Sequence, residues 1–247
     1  MTEIRIIGSG SSGNGLILKS SYQTLILELG CRFYDYIDQL SSDELFSIAG
    51  CVFTHSHGDH INPSTAKEFL RRGFDIYCHE EVIEDLKEKG FLPFFKPIKS
   101  NYANKIGDFT IQTFKAPHNV PNYGFLITTP INERILFLTD TTGVSLRFKN
   151  INAILVECNH DEDTLLDNID RHDVSMAHPE YHLGLKDCCE FCKQNISVST
   201  KQVVLIHLSS TNINEKHAVE TVKEYCNFQN VAVAHKGDVF KIENDDF

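Results

Sequence analysis

The sequence predicts a layered α/β fold in which helices cover the faces of β-sheets. Short apolar runs bounded by turn residues recur along the whole chain of 247 residues, and helical patterns lie between the later runs. The composition, 41% hydrophobic and 23% charged, is that of a globular protein rather than a disordered one. No linker or internal repeat divides the chain, so we expect one domain over residues 1–247.

The first part of the chain is predicted to be mainly β. Asn62 is a suitable N-cap, Pro63 fits the first helical position, and Gly73 stands just past the end of a predicted helix. A second helix is predicted to end at Gly90. Apolar runs predict strands over residues 4–7, 15–19, 24–28 and 51–54.

The second part repeats the alternation of strands and helices. A helical pattern places Cys188, Cys189 and Cys192 on one apolar face, where a thiol behaves as a small hydrophobic group. Strands are predicted over residues 109–113, 124–127, 134–138, 153–156, 202–206, 231–233 and 239–242. A helix from about residue 214 to 226 carries four residues on its apolar face: Ala218, Val222, Tyr225 and Cys226.

The charge balance and the cysteines limit the partners and the compartment. The chain has 23 basic and 34 acidic residues, a net charge of −11, which argues against broad, salt-driven wrapping of duplex nucleic acid. No apolar run approaches the ~20 residues of a membrane-spanning helix, and the first residues are too polar for a signal peptide. We therefore expect a cytoplasmic protein whose eight cysteines are thiols.

The strongest chemical signal is the segment Thr54-His-Ser-His-Gly-Asp-His60, which follows a predicted strand directly. Within six positions it holds four residues able to bind a metal: His55, His57, Asp59 and His60. Neutral imidazole and carboxylate suit zinc, and also manganese, iron or nickel. The segment therefore predicts a metal site at the end of a strand.

The pattern His-x-His-x-Asp-His resembles the signature loop of the metallo-β-lactamase superfamily. The resemblance implies a four-layer αββα sandwich with two divalent metal ions, zinc first and manganese as the alternative, at one edge of its sheets. Later strand ends offer further ligands in the family's order, at His118, Asp140 and His207. The resemblance implies two sets and a bridge: His55, His57 and His118 on one ion; Asp59, His60 and His207 on the other; Asp140 on both.

Other segments resemble the YycJ (WalJ)-like branch of the superfamily and its relative RNase Z. They are Gly8-Ser-Gly-Ser-Ser-Gly-Asn14 and residues 139–143, 157–161, 181–184 and 207–209. The first of them also matches the dinucleotide fingerprint GxGxxG, but a strand rather than a helix is predicted next, which excludes that interpretation. The chain departs from the branch at Tyr181 and Gly184, where Gly and Ser are usual, and it lacks the Arg that follows the last ligand in RNase Z.

The resemblance implies a metal-dependent hydrolase that cleaves phosphodiesters. We expect a nuclease, exonuclease-like at DNA 5′ ends or acting on RNA, so that nucleic acid is the expected partner. Asp59 is the candidate base, His182 is expected to donate a hydrogen bond to the phosphate, and His160 is a further catalytic candidate. Four residues of the glycine-rich loop are expected to bind the substrate's terminal phosphate: Ser9, Ser11, Ser12 and Asn14.

Three alternatives stay open. A hydrolase of a thioester, a lactone or a cyclic nucleotide would use the same metal site, and the acidic charge favours it. A di-iron oxidoreductase would resemble relatives that carry Glu where this chain has His57, and a metal-binding protein without activity is the last alternative. The other histidines are expected to have ordinary structural roles: His79, His172, His178, His217 and His235.

Overall fold

Two seven-stranded sheets form the centre of the protein in the computed structural model, which describes residues 1–91, 94–170 and 179–242. In spatial order, the first sheet contains β14 (Val239–Ile242), β1 (Thr2–Gly8), β2 (Gly15–Ser20), β3 (Gln23–Leu27), β4 (Ile48–Val52), β5 (Ile76–His79) and β6 (Lys96–Ile98). The second contains β13 (Val231–Val233), β12 (Gln202–Ile206), β11 (Ala153–Glu157), β10 (Arg134–Leu138), β9 (Tyr123–Thr128), β8 (Phe109–Lys115) and β7 (Asn104–Ile106).

Helices cover the outer face of each sheet. Against the first sheet lie α1 (Phe33–Ile37), α2 (Ser42–Phe46), α3 (Pro63–Arg71) and α4 (Glu80–Glu88). Against the second lie α6 (Leu185–Asn195) and α7 (Glu215–Cys226), which contact β11, β13 and each other. A further helix, α5 (Glu162–Asp170), and a 3₁₀ turn (Pro179–Tyr181) precede α6. The order helix–sheet–sheet–helix confirms the predicted αββα sandwich.

The central strands of the second sheet are buried on both faces. In β10, Ile135 and Phe137 belong to the core between the sheets, whereas Leu136 and Leu138 belong to the core under α6 and α7. Successive side chains of a strand point to opposite faces, so a continuous apolar run fills both cores. The predicted strands over residues 134–138 and 202–206 match β10 and β12 at both ends.

The helices begin and end where local chemistry predicts. The Asn62 side chain accepts hydrogen bonds from the backbone N–H groups of Ser64 and Thr65, which caps α3 as expected. At the end of α7, Asn227 takes the left-handed conformation with φ 50°. The expectation that Tyr225 faces the core is wrong, since its side chain is exposed and Lys193 lies over its ring.

Several elements were not predicted from the sequence. The first part of the chain is less β-rich than expected, because α1 and α2 connect β3 to β4. Each has five residues, too few for a helical period to be recognised. The strand β5, the edge strands β6 and β7, which have three residues each, and the helix α5 were not predicted either.

The cysteines pack as predicted. All eight are free thiols, and Cys188, Cys189 and Cys192 lie on the buried face of α6. Burial raises the pKa of Cys189 and of Cys226 to about 12, so both thiols stay protonated. As for membranes, the described parts of the chain contain no helix that combines the length and apolarity of a membrane span.

An ion-pair network attaches α2 to the first sheet. Glu44 is nearly buried and accepts hydrogen bonds from Arg5 of β1 at 2.7 and 3.0 Å, while Lys19 of β2 lies 2.6 Å away. The hydrogen bond from Arg5 lowers the pKa of Glu44 below its ordinary value, although burial opposes the shift. Charge-assisted hydrogen bonds of this kind contribute about 1.5–3 kcal/mol.

We expect Glu44→Gln to lower the free energy of unfolding by about 1–3 kcal/mol at pH 7. Because the folded pKa lies below the unfolded one, the contribution is complete above about pH 4.3 and is lost as the pH falls further. Urea unfolding at pH 7 and pH 3 measures this difference, which should shrink at pH 3. Asp43→Asn, at an exposed position of the same helix, is the control and should change stability by less than about 0.5 kcal/mol. A difference independent of pH would contradict the prediction.

Candidate metal centre

The ends of six strands meet at one edge of the sandwich. β3 and β4 run parallel in the first sheet, and β10, β11 and β12 run parallel in the second. The sixth is β8, which runs in the same direction as β10 and leads to His118. The segments that follow the carboxyl ends of such strands converge, which is why binding crevices form there. The structure brings all seven predicted metal ligands together at this edge: His55, His57, Asp59, His60, His118, Asp140 and His207.

One set of three imidazoles surrounds a common point. His57 Nδ1 lies 3.1 Å from His55 Nε2 and 3.3 Å from His118 Nε2. The far nitrogen of His118 donates to the carbonyl oxygen of Tyr181 at 2.9 Å, and His55 Nδ1 lies 2.9 Å from the hydroxyl of Thr54. A hydrogen bond at one ring nitrogen sets the orientation of the ring and leaves the other nitrogen available to a metal.

A second set lies beside the first. Asp59 Oδ2 is 3.4 Å from His60 Nε2 and 3.5 Å from His207 Nε2. Asp140 lies between the two sets, because its Oδ2 is 3.0 Å from His60 Nε2 and it also groups with His55. The possible ligand atoms of Asp140 and His207 also lie within 4.8 Å of those of His182 and Glu157.

Two acidic residues contact the outer ring nitrogens of His182, His207 and His60. Glu157 Oε1 is 2.6 Å from His182 Nδ1 and 3.2 Å from His207 Nδ1, and Glu28 Oε2 is 3.2 Å from His60 Nδ1. Both carboxylates are fully buried. From the sequence alone, Glu157 received no role, although the segment around it resembled the family, and Glu28 was not predicted to belong to the site. The only sequence feature that could have indicated these two residues is a single acidic residue at the end of an apolar strand.

Burial keeps the first set of histidines neutral. It lowers the pKa of His55 well below its ordinary value, and it also lowers the pKa values of His57 and His118. Neutral imidazole is the form that binds a metal, so these three histidines would not have to lose a proton when a metal binds.

Acidic neighbours have the opposite effect on the second set. Burial alone would lower the pKa of His207, but the charge of Asp140 and the nearby carboxylates of Asp59 and Glu157 raise it to about 10. The pKa of His60 is likewise raised, against the effect of burial, mainly by Asp140 and Glu28. The carboxylates therefore attract positive charge to this point, and a metal would displace the protons.

The donor set fits divalent metal ions. His207 Nε2 is buried and has no hydrogen-bond partner among the described residues, although it faces the carboxylate of Asp59. A bound cation would occupy this nitrogen and compensate the surrounding carboxylates. Imidazole nitrogens and carboxylate oxygens in these sets suit zinc or manganese.

Backbone strain is concentrated at the same edge. Glu28, Asp140 and His207 each follow a strand directly or closely, and each has a positive φ, of 60°, 51° and 54°. The left-handed conformation costs about 1–3 kcal/mol for a residue other than glycine and persists chiefly at functional sites. Three strained residues around one cluster support a functional role for it.

A cleft of about 710 Å³ opens over the cluster. Its floor includes His57, His118, His182 and His207, and Ser9, Ser11 and Ser12 form part of its wall. Further hydroxyl groups come from the segment of residues 209–211. Among the described residues that line it there is no lysine or arginine.

The glycine-rich loop forms one wall through its own hydrogen bonds. Gly10 and Gly13 have φ of 135° and 142°, and a side chain at Gly13 would lie 2.9 Å from the carbonyl oxygen of Gly30. Ser9 Oγ accepts a hydrogen bond from the backbone N–H of His207 at 2.8 Å. The loop therefore attaches directly to one of the candidate ligands, and a strand follows it, as predicted.

Asn14 lies deeper than its neighbours in that loop. Its side-chain oxygen accepts from the N–H of Gly10 at 2.8 Å, and its amide nitrogen is 2.9 Å from His60 Nε2 and 3.3 Å from Asp59 Oδ2. It is buried and does not line the cleft. The structure thus places Asn14 in contact with the candidate ligands Asp59 and His60 rather than on the surface of the cleft.

Four other described histidines lie outside the cluster: His79, His160, His217 and His235. His160 is buried next to Gly184 and does not line the cleft; burial lowers its pKa, and the charges of Glu157 and His182 also act on it. His79 is buried and stacks on Tyr123 with ring centroids 3.5 Å apart. His217 and His235 are exposed. The two others, His172 and His178, lie outside the described residues.

Comparison with known proteins identifies the family. The family described as "Beta-lactamase superfamily domain" matches residues 37–208. The chain belongs to the β-lactamase superfamily. This confirms the resemblance inferred from the His-x-His-x-Asp-His segment. The protein is a hydrolase of the metallo-β-lactamase fold, which implies divalent metal ions, and its His and Asp sets are candidate ligands for them.

Its relatives within the superfamily include named nucleases. The chain is 26% identical over 223 residues to exodeoxyribonuclease WalJ of Streptococcus pneumoniae, covering 84% of this chain and 81% of that protein. It is 24% identical to exodeoxyribonuclease YycJ of Bacillus anthracis, covering 98% and 94% of the two chains. The crystal structure of the short form of human tRNase Z has the same fold, with a TM-score of 0.62, 15% identity and coverage of 98% and 100%.

Proposed function

We propose that this superfamily member is a two-metal phosphodiesterase that acts as a nuclease, exonuclease-like at the 5′ end of DNA. One observation carries the proposal: two adjacent ligand sets joined by Asp140 lie on the floor of a hydroxyl-lined cleft. The similarity to exodeoxyribonucleases supports the choice of substrate class. We assign His55, His57 and His118 to one ion, Asp59, His60 and His207 to the other, and Asp140 to both, with zinc or manganese as the metal.

In the proposed hydrolysis, Asp59 would act as the base and His182 would bind the phosphate. Divalent ions, when bound, acidify water and stabilise negative charge on a phosphate oxygen. Asp59 is partly exposed; burial would raise its pKa, but the imidazoles of His207 and His60 beside its carboxylate lower the pKa overall. The carboxylate is therefore ionised and in place to accept a proton from an attacking water.

His182 would bind the phosphate. Glu157 accepts from its Nδ1, so that the Nε2–H group remains for a ligand in the cleft that this residue lines. Burial lowers the pKa of His182, but the hydrogen bond and charge of Glu157 more than compensate, and the pKa is raised overall. A protonated imidazole would donate to a phosphate oxygen as charge develops there.

A second candidate function is the hydrolysis of a small ester, thioester, lactone or cyclic nucleotide. It is favoured by the absence of lysine and arginine among the described residues of the cleft. Metal-stripped protein reconstituted with zinc, manganese or magnesium distinguishes the two functions when given a 5′-labelled oligonucleotide, bis-p-nitrophenyl phosphate and a thioester. Hydrolysis of the thioester without cleavage of the oligonucleotide would reject the nuclease.

The hydroxyl groups of the glycine-rich loop test whether a terminal phosphate is bound. Ser11 and Ser12 are exposed and line the cleft, and no hydrogen bond of their backbone N–H groups is found in the described structure. Replacing both with Ala removes two donors worth about 0.5–1.5 kcal/mol each. Cleavage of a 5′-phosphorylated oligonucleotide should then fall about five- to a hundred-fold. Bis-p-nitrophenyl phosphate has no terminal phosphate, so its hydrolysis should barely change, and an equal loss on both substrates would contradict this role.

A further inference from the structure

A basic cavity lies on the outer face of the second sheet, away from the metal cluster. It has a volume of about 480 Å³ and contains the side chains of Arg134, Arg147 and Lys149. Phe114, which also lines it, belongs to the apolar cluster on that outer face. The cavity therefore does not belong to the cleft at the strand ends.

Among the described residues, none that lines this cavity carries a negative charge. Arg147 and Lys149 are exposed, and neither takes part in an ion pair in the described parts of the chain. Arg134 donates to the backbone carbonyl of Lys149. In a protein with a net charge of −11, three cations that share a cavity whose described lining has no carboxylate are a marked local exception.

Aromatic rings complete the cavity. Phe114 and Phe148 pack with ring centroids 4.9 Å apart, and Tyr102 at the rim is 64% exposed. Guanidinium and ammonium groups bind phosphates, and an exposed ring offers a surface on which a base can stack. Basic groups interleaved with aromatic rings are the combination that binds single-stranded nucleic acid.

The position of the cavity sets its distance from the metal cluster. Arg134 begins β10, and Asp140 follows the end of the same strand. Six residues of extended chain span roughly 20 Å. At the spacing of about 3.4 Å per nucleotide in one strand of a duplex, this equals about six nucleotides, and fewer in a more extended strand.

We infer that this cavity binds single-stranded nucleic acid about six nucleotides from the end that lies in the metal cleft. The inference rests on the proposed nuclease function and adds to it, since it explains how a cleft without lysine or arginine would retain a polyanion. The phosphates would lie against Arg147 and Lys149, and a base would stack on Tyr102.

The test uses charge reversal in the metal-loaded enzyme. Arg147→Glu with Lys149→Glu should weaken binding of a 20-nucleotide strand, protected at its end by phosphorothioates, by at least about tenfold at low salt. The slope of log affinity against log salt should decrease in magnitude by about 1.4, as expected for the loss of two phosphate contacts. KM for an unprotected 20-mer should rise in parallel. The hydrolysis of a tetranucleotide, too short to reach the cavity, and of bis-p-nitrophenyl phosphate should stay unchanged.

The control carries the same charge change elsewhere. Lys67→Glu with Lys241→Glu alters two exposed lysines of α3 and β14 and should change binding of the 20-mer by less than about twofold, within the small effect of distant screened charges. The neutral pair Arg147→Gln with Lys149→Gln should give an intermediate loss, and it replaces the reversal variant if that one does not fold.

The outcomes separate the two proposals. If the wild type cleaves the 20-mer and the reversal variant binds it as the control does, the cavity is not a strand-binding surface, and an acidic protein becomes the ligand to examine. If the wild type neither binds nor cleaves any oligonucleotide, the nuclease proposal fails and this inference fails with it.

Discussion

Asp140→Ala should abolish hydrolysis and remove bound metal. Asp140 lies between the two ligand sets, with Oδ2 3.0 Å from His60 Nε2. Without its carboxylate, two dications would face each other with less compensating charge, and both sites would weaken. Loss of metal-assisted charge stabilisation is worth several kcal/mol, so kcat/KM should fall by at least about a thousandfold.

Metal content is the decisive measurement for this variant. Elemental analysis after dialysis should find close to two divalent ions per chain in the wild type and one or fewer in Asp140→Ala. Asp140→Asn, which keeps the shape but loses the charge, should retain more metal than the alanine variant while remaining impaired. If Asp140→Ala keeps two ions per chain, the bridging assignment is wrong.

His182→Ala should cost rate while the metals stay bound. His182 lines the cleft, and its Nδ1 is held by Glu157 at 2.6 Å rather than being free for a metal. A positioned donor or acid of this kind contributes typically about 10²- to 10⁴-fold. We expect kcat to fall within that range on an oligonucleotide. Loss of an ion from His182→Ala would instead place this histidine among the metal ligands, as its grouping with Asp140 and His207 also permits.

Glu157→Gln is the variant to compare with His182→Ala, because it should affect metal binding as well as rate. Glu157 contacts both His182 and His207, so this change should reduce the rate and also weaken metal binding at the His207 site. Losing an outer carboxylate of this kind typically costs about 10- to 100-fold in metal affinity or activity. A metal titration with a competing chelator measures the first effect, and steady-state kinetics measures the second. His217→Ala, at an exposed position of α7, is the matched histidine control and should alter neither.

The spacing of the site residues along the chain explains why some of them were harder to predict than others. His55, His57, Asp59 and His60 lie within six positions, so their shared chemistry is visible in the sequence. His118, Asp140 and His207 became recognisable only through their order after strands and the family resemblance. Asn14 was expected to face the substrate because it belongs to the glycine-rich loop, but its side chain is buried. The composition of a loop does not reveal which of its side chains point inward in the fold.

The sequence by itself determined most of the strands, most of the longer helices and the candidate metal-binding loop, because these depend on local period, capping and spacing. Only the tertiary structure decided that Glu28 and Glu157 support the ligands and that Arg147 and Lys149 share a cavity with Tyr102. Such relations join residues that lie tens of positions apart in the chain. They arise when two packed sheets bring distant strand ends and loops together, and no local pattern encodes that packing.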